Sequence, residues 1–197
     1  MSSPARKLTS GEYVEWLRLA VHDKALPANN RVRAAASCLA IAQEHHHSIV
    51  LLMEHRLFAS SFALLRIAYE AYVRGEWLSQ CATDEQIEKF LEAWEPPKIA
   101  WMLAELEATP AFVDRVLSSL KQTHWTAMCA YTHTGGLHVQ RWNTSEAVEP
   151  VYDQEEVDEV LYLAETLGSL SVIGVAELAN DGELANKVLA EVKRRPK

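Results

Sequence analysis

Two charged residues in an otherwise uncharged segment are the first candidates for chemistry in this sequence. Arg66 and Glu70 are the only charged side chains between positions 57 and 73, and a spacing of four places them on one face of a helix. The rest of that face is apolar, as in a helix that packs into a core. Because an unpaired buried charge is costly, the two groups must be paired, hydrated in a cleft or bound to a ligand. They therefore form either a structural ion pair or part of a ligand pocket.

Residues in two other segments could complete such a pocket. In an antiparallel helical hairpin that turns near residue 56, His46 is level with Arg66, although a core histidine satisfied by one hydrogen bond is the commoner arrangement. Tyr131 and His133 stand at the end of a later apolar segment. A helix C-terminus favours an imidazolium, so His133 is either a partner of the helix dipole or, if it faces Arg66, part of the site. The predicted ligand-binding residues are Arg66, Glu70, His46, Tyr131 and His133.

No other motif points to a metal, a cofactor or a catalytic nucleophile. Glu44-x-x-His47 is half of a di-iron motif, but the sequence contains no second copy. The three consecutive histidines at 45–47 point in different directions on a helix and cannot hold one ion together. There is no P-loop, dinucleotide-binding fingerprint or GxSxG motif. We therefore predict no metal and no cofactor, and the catalytic residues are unknown, with Arg66 and His133 as the candidates.

The elements that must position these residues are helices. Only 7 of the 197 residues are Gly and 7 are Pro, while 49% are hydrophobic. This composition excludes sandwiches, barrels and Gly-rich nucleotide-binding folds and favours an all-α domain. Positions 31–74 contain neither Gly nor Pro, and one helix of that length would extend about 66 Å at 1.5 Å per residue. Because a compact domain cannot hold such a helix, we predict a hairpin of helices over 30–54 and 57–80.

Capping signals place the remaining helices. Ser10 begins a helix that ends near His22, Thr83 begins one that ends near Trp94, and another follows Pro97. A helix is predicted from Thr109-Pro110 to Gly135-Gly136. Asp153 and Glu156 resemble a capping box for a long helix through about 179, and a short terminal helix follows residues 180–182. The prediction is an antiparallel bundle of four long helices with additional short helices, in one domain over 1–197 with its core at about 30–180.

Two further features of the sequence concern association and ordering. Ala164, Gly168, Ser171 and Val175 form a strip of mostly small residues on which another helix can approach closely, within the chain or across a dimer. The longest connection, from Gly135 to Tyr152, is either an ordered binding loop or a disordered surface loop. The strip of small residues at 164–175 predicts a homo-oligomer. The six tryptophans support this prediction, because a domain of this size cannot easily bury them all.

Charge and cysteine content bear on compartment and partners. The chain has 19 basic and 27 acidic residues, a net charge of −8, which gives no overall attraction to nucleic acid. Its three cysteines, Cys38, Cys81 and Cys129, are an odd number without CxxC spacing, as in a cytoplasmic protein with reduced thiols. The first residues lack the apolar core of a signal peptide, and charges interrupt the apolar windows. We therefore expect a cytoplasmic protein without a membrane span.

The order of these features resembles uncharacterised bacterial families of the HEPN-like helical fold. The shared elements are a helical hairpin with LLRIAYEAYVRGEWL on its second helix and YTHTGG before the last long helix. The matching positions are Arg66, Glu70 and His133, and the resemblance covers roughly residues 30–180. The nuclease motif of such families, Arg and then His after four to six intervening residues, is not matched, since Arg18 and His22 have only three between them. The resemblance implies a dimer, with toxin, antitoxin or defence roles.

Three functional hypotheses follow. The first is a dimeric module whose Arg66–Glu70–His133 pocket binds a nucleotide-like or other anionic group without necessarily reacting it. The second is an RNase with a degenerate motif, in which His133 or His46 is the general base and Arg66 stabilises the phosphorane charge. The third is a non-enzymatic, antitoxin-like protein-interaction domain, since an acidic surface attracts a basic partner.

Overall fold

The chain is all-helical over residues 8–195, the range that the computed structural model describes. Positions 1–7, which include most of the stretch examined for a leader, and positions 196 and 197 lie outside that range. The described residues form nine α-helices and one 3-10 turn, and no β-strand. The helices are α1 Ser10–Val21, α2 Asn30–Glu54, α3 Phe58–Gln80, α4 Asp84–Leu91, α5 Ile99–Leu106, α6 Val116–Thr132, α7 Gly136–Gln140, α8 Gln154–Leu178 and α9 Gly182–Val192.

Helices α2 and α3 form the predicted hairpin, with boundaries within one residue of those expected. The side chain of Asn29 accepts a hydrogen bond from the Val32 N–H and so caps α2. Between the two helices Arg56 adopts a positive φ of 57°, which reverses the chain at the expected position. At the far end of the hairpin, a Cβ on Gly75 would lie 2.9 Å from Leu39 Cδ2, so the absent side chain permits close packing.

Helix α8 packs against this hairpin through the strip of small residues. Ala164 and Ser171 are fully buried, and a Cβ on Gly168 would lie 2.1 Å from Nδ1 of His46 on α2. The strip is thus an intramolecular contact, the commoner of its two expected roles. By length and composition α8 could also cross a membrane, unlike what we expected from the charged windows. Its apolar window is 61% buried inside the fold, and we interpret it as a core helix.

Helix α6 begins later than predicted. Thr109-Pro110 opens only the 3-10 turn Pro110–Phe112, and α6 starts after Arg115, whose φ is 55°. The physical reason is a cap from another element. The Glu107 carboxylate accepts hydrogen bonds from the Ser118 N–H and Oγ at 2.9 and 2.8 Å. It thereby satisfies a backbone donor in the first turn of α6, the role that a local cap normally fills.

The expected capping box at the start of α8 does not form. Asp153 makes no side-chain capping hydrogen bond. Glu156 instead pairs with Arg141, which lies in the long connection between α6 and α8. That connection contains the short helix α7 and an isolated bridge between Asn143 and Val148, so it is ordered rather than structureless.

Candidate functional site

Arg66 and Glu70 form a hydrogen-bonded ion pair on α3. The Nε of Arg66 donates to Oε1 of Glu70 at 2.7 Å, and the two side chains are 21% and 23% exposed. Neither group is sealed in the core, so the pair borders solvent. Water therefore reduces the penalty of desolvation that a fully buried pair would pay.

Helix α6 supplies an aromatic face for the same guanidinium. The Cζ of Arg66 lies 4.8 Å from the centre of the Trp125 ring, and the Nζ of Lys121 lies 4.7 Å from that centre. Such contacts stabilise a cation through the ring quadrupole. Trp125 also packs edge-on against Tyr69 of α3 at 6.3 Å. The position of the guanidinium is thus fixed by a carboxylate on its own helix and an indole on the next.

His133 completes what we call the Arg66 cluster, which comprises Arg66, Glu70, Trp125 and His133. The Nη1 of Arg66 lies 2.5 Å from Nε2 of His133. A guanidinium can only donate, so Nε2 must accept, and the ring is then neutral with its proton on Nδ1. The cluster therefore joins one cation to an imidazole that keeps a donor for another group.

The end of α6 holds His133 in place. Thr132 Oγ1 lies 3.1 Å from the Ala63 carbonyl of α3 and 2.9 Å from the Met128 carbonyl of α6, so its one hydroxyl hydrogen is shared between the last turn of α6 and the helix that carries Arg66. The Gly135 N–H then donates to the Ala130 carbonyl at 2.7 Å, and Thr134 takes a left-handed φ of 53°. This is the hydrogen bond of a Schellman ending, with a threonine at the position that usually holds glycine. The helix consequently ends before the Gly pair at which we expected it to end.

His46 does not join the cluster. It is 1% exposed and lies against Gly168 of α8, and no hydrogen-bond partner of its Nε2 is found among the described residues. Burial lowers the pKa of His46 to about 3, which keeps the ring neutral. The expected neighbourhood of His46 and Arg66 was wrong, because the helical register turns His46 toward α8.

Tyr131 also lies outside the cluster, in an adjacent aromatic group. Its ring packs edge-on against Phe62 at 4.9 Å and against His138 at 5.2 Å. His138 Nδ1 lies 2.9 Å from the Tyr131 carbonyl, and its Nε2 lies 3.1 Å from the Tyr152 hydroxyl. Burial raises the pKa of Tyr131. Both ends of the long connection are thus tied to the end of α6.

Sequence reasoning predicted His133 but missed two residues of α6 at this site, Trp125 and Lys121. Lys121, Trp125 and His133 recur at multiples of four, a spacing that places them near one face of α6. That spacing was available in the sequence, but the helix was assigned through its Tyr131 face instead. Among residues 8–195, no group of three or more His, Cys, Asp or Glu is placed to hold a metal ion.

Comparison with known proteins identifies the family of the chain. Residues 39–195 match the model of a family of unknown function (DUF6988), and the chain therefore belongs to that family. The match contains the hairpin from Leu39 onward, the whole of α6 and the whole of α8, and so every residue of the Arg66 cluster. No curated protein and no solved structure matches the chain.

Proposed function

We propose that this DUF6988 protein is a cytoplasmic, HEPN-like helical module that self-associates and binds a phosphate-bearing, nucleotide-like group at the Arg66 cluster. The observation that carries the proposal is the contact between the Arg66 guanidinium and the His133 imidazole at the border of solvent. Both groups donate hydrogen bonds suited to phosphate oxygens.

The hydrogen bonds of the cluster leave donors free for a ligand. Nε of Arg66 is committed to Glu70 and Nη1 to His133, while within residues 8–195 Nη2 makes no hydrogen bond. The Nδ1–H of His133 is a second donor in the tautomer that the Arg66 contact imposes. Lys121 adds a second positive group over the Trp125 ring, against the single negative charge of Glu70. A dianionic phosphate can accept hydrogen bonds from Nη2 of Arg66 and Nδ1 of His133 and is attracted to the charge of Lys121. An uncharged ligand lacks this electrostatic attraction.

Binding of a nucleoside monophosphate tests the proposal. We expect AMP or GMP to bind the wild-type protein in calorimetric titrations, and R66Q and H133A each to weaken binding about tenfold or more, the loss expected from a charge-assisted hydrogen bond. R33Q is the matched control, because it removes the same charge from an exposed position on α2. Equal loss in R33Q and R66Q would reduce the effect to net charge and contradict a site at Arg66.

The RNase alternative makes a different prediction from the same variants. His133 is the imidazole of the cluster that borders solvent, whereas His46 is enclosed against α8. If the protein cleaves RNA, H133A abolishes cleavage and H46L does not. Phosphate binding without cleavage by the wild-type protein would favour the binding module instead.

The finer architecture belongs to the same proposal. We infer an antiparallel four-helix arrangement of α2, α3, α6 and α8, because α2 and α3 are joined by only three residues and α8 packs on both. Self-association is supported by large apolar side chains that remain exposed, among them Leu57, Trp101, Val113 and Val116. Light scattering that shows a monomer at high micromolar concentration would contradict it.

A further inference from the structure

About two turns after Arg66, α3 carries a second guanidinium, that of Arg74, which makes no ion pair with another residue of the described range 8–195. Its Nε is buried without a hydrogen-bond partner, and none of the side-chain hydrogen bonds or salt bridges of the described residues involves Arg74. Glu70 lies four residues before Arg74, the better orientation for a helical ion pair, yet its carboxylate binds Arg66. A partly buried guanidinium without a carboxylate is unusual, since desolvation of the charge is then not offset.

Arg74 borders a cavity between α2, α3 and the segment that joins α4 to α5. Its volume is about 410 Å³, within the range of small-molecule sites. Most of its wall is apolar and is formed by Cys38, Ile41, Ile67, Ala71, Phe90 and Trp94. Burial raises the pKa of the Cys38 thiol to about 11, so this side chain is an uncharged part of the wall. We call this space the Arg74 cavity.

The charges around the cavity leave one positive group in excess inside it. Glu70 lines the cavity, but its charge is offset by Arg66. Glu95 also lines it and is exposed to water, which screens its charge. Arg74 is the partly buried charge without compensation. A ligand that fits must therefore bring an anion to Arg74 and apolar surface to the walls.

We propose that the Arg74 cavity binds a small carboxylate with a planar apolar body. The carboxylate accepts two parallel hydrogen bonds from the guanidinium, the geometry for which arginine is suited. The planar body lies among the aliphatic wall and the rings of Phe90 and Trp94, which favour flat apolar groups. This site shares only Glu70 with the Arg66 cluster, and the proposal does not rest on phosphate binding there.

A matched pair of probes tests the charge requirement. 1-Naphthaleneacetate and 1-naphthaleneacetamide have the same apolar body, and only the first carries a carboxylate. We expect the wild-type protein to bind the acid at least tenfold more tightly than the amide in calorimetric or ligand-observed NMR titrations. In R74Q this preference disappears, whereas in R33Q, which removes the same charge from an exposed position on α2, it is retained. Equal binding of acid and amide by the wild-type protein would overturn the proposal, as would an undiminished preference in R74Q.

Thermal unfolding without ligand provides the second readout. Because the Arg74 side chain has no hydrogen-bond or ion-pair partner among residues 8–195, R74Q should unfold at the wild-type temperature or above it. A fall of more than a few degrees would show that the guanidinium has a structural partner and would overturn the proposal. Sedimentation decides between a ligand site and an interface: if R74Q abolishes self-association of the unliganded protein, the cavity is filled by a second copy and the small-ligand proposal fails.

Discussion

The ionisable groups on the hairpin of α2 and α3 lie in two opposite environments, one at the border of solvent and one in the interior. In the Arg66 cluster a carboxylate, an indole and an imidazole surround a guanidinium that borders solvent. In the interior against α8, His46 and Glu76 are 1% and 3% exposed, and neither forms an ion pair with another described residue. Burial moves both of their pKa values toward the neutral form. Proximity to solvent decides which groups on one hairpin remain available for chemistry.

Of the groups compared, His46 should give the largest change in stability when the pH is lowered. Its pKa is about 3 in the folded protein and about 6.5 when unfolded, so protons bind preferentially to the unfolded chain. The free energy of unfolding therefore falls as the pH drops from 6.5 towards 3. One such histidine accounts for roughly 3 kcal/mol between pH 7 and pH 4.

Urea unfolding as a function of pH measures that effect. H46L, which cannot titrate, should have a shallower dependence below pH 6.5 than the wild-type protein. H55Q removes an exposed histidine next to the hairpin turn and should leave the dependence unchanged. Parallel curves for H46L and the wild-type protein would show that His46 is accessible to protons in the folded state.

Glu76 should produce the opposite dependence. Burial, and to a lesser extent the nearby Glu177, raise its pKa to about 7, while Gln80 donates a hydrogen bond to it at 3.0 Å. Because the folded state binds the proton more tightly, stability is lost as the pH rises from 4.5 to 7. E76Q keeps a neutral group of the same shape, and we expect it to raise the free energy of unfolding at pH 8 by about 2 kcal/mol. A lower stability of E76Q than wild type at pH 8 would contradict this assignment.

The contact between His46 and Gly168 provides a steric test of the interior. A Cβ at position 168 would lie 2.1 Å from His46 Nδ1, so G168A should cost about 2 kcal/mol through overpacking. G182A is the control, since its added Cβ meets nothing within 4 Å. In the double variant H46A/G168A the new methyl group occupies space that the ring has left. The destabilisation of the double variant should therefore be smaller than the sum of the destabilisations of H46A and G168A. Simple additivity would refute the contact.

The smallest effect is expected at the Arg66 cluster itself. Because both side chains are partly exposed and the pair has the poorer helical orientation, a double-mutant cycle with R66M and E70Q should give a coupling of only about 0.5 kcal/mol. A coupling above about 3 kcal/mol would assign the pair to the scaffold rather than to a ligand site. Thermal and urea unfolding at low and high salt measure it.

Local signals predicted the hairpin well. The absence of Gly and Pro over 31–74 and the length limit are both properties of contiguous sequence, and α2 and α3 end where expected. The pairing of Arg66 with Glu70 follows from their spacing in the same way. Helix register was the weaker inference, since a stripe of apolar residues does not say which neighbour it faces, and His46 faces α8 rather than α3.

Long-range contacts account for the other errors. The start of α6 depends on Glu107, which lies eleven residues before the Ser118 that it caps. At the start of α8, Glu156 pairs with Arg141 instead of capping the helix. Neither pairing has a signature in contiguous sequence, so the local caps at Thr109 and Asp153 appeared sufficient. Trp125 was missed for a related reason, because only the docking of α6 on α3 brings its ring over Arg66.

The cap that Glu107 places on α6 has a consequence for the order in which the molecule assembles. A helix whose first turn is satisfied by a carboxylate from a preceding element gains that stabilisation only after the two elements have met. The hairpin, by contrast, contains its own start and turn signals and can form early. A folding chain would then hold Arg66 beside Glu70 before His133 arrives, and the imidazole would join as one of the last parts. If the cluster binds a ligand as proposed, that binding is reserved for chains whose C-terminal half has docked, and a stalled or truncated product would present the carboxylate-paired guanidinium alone.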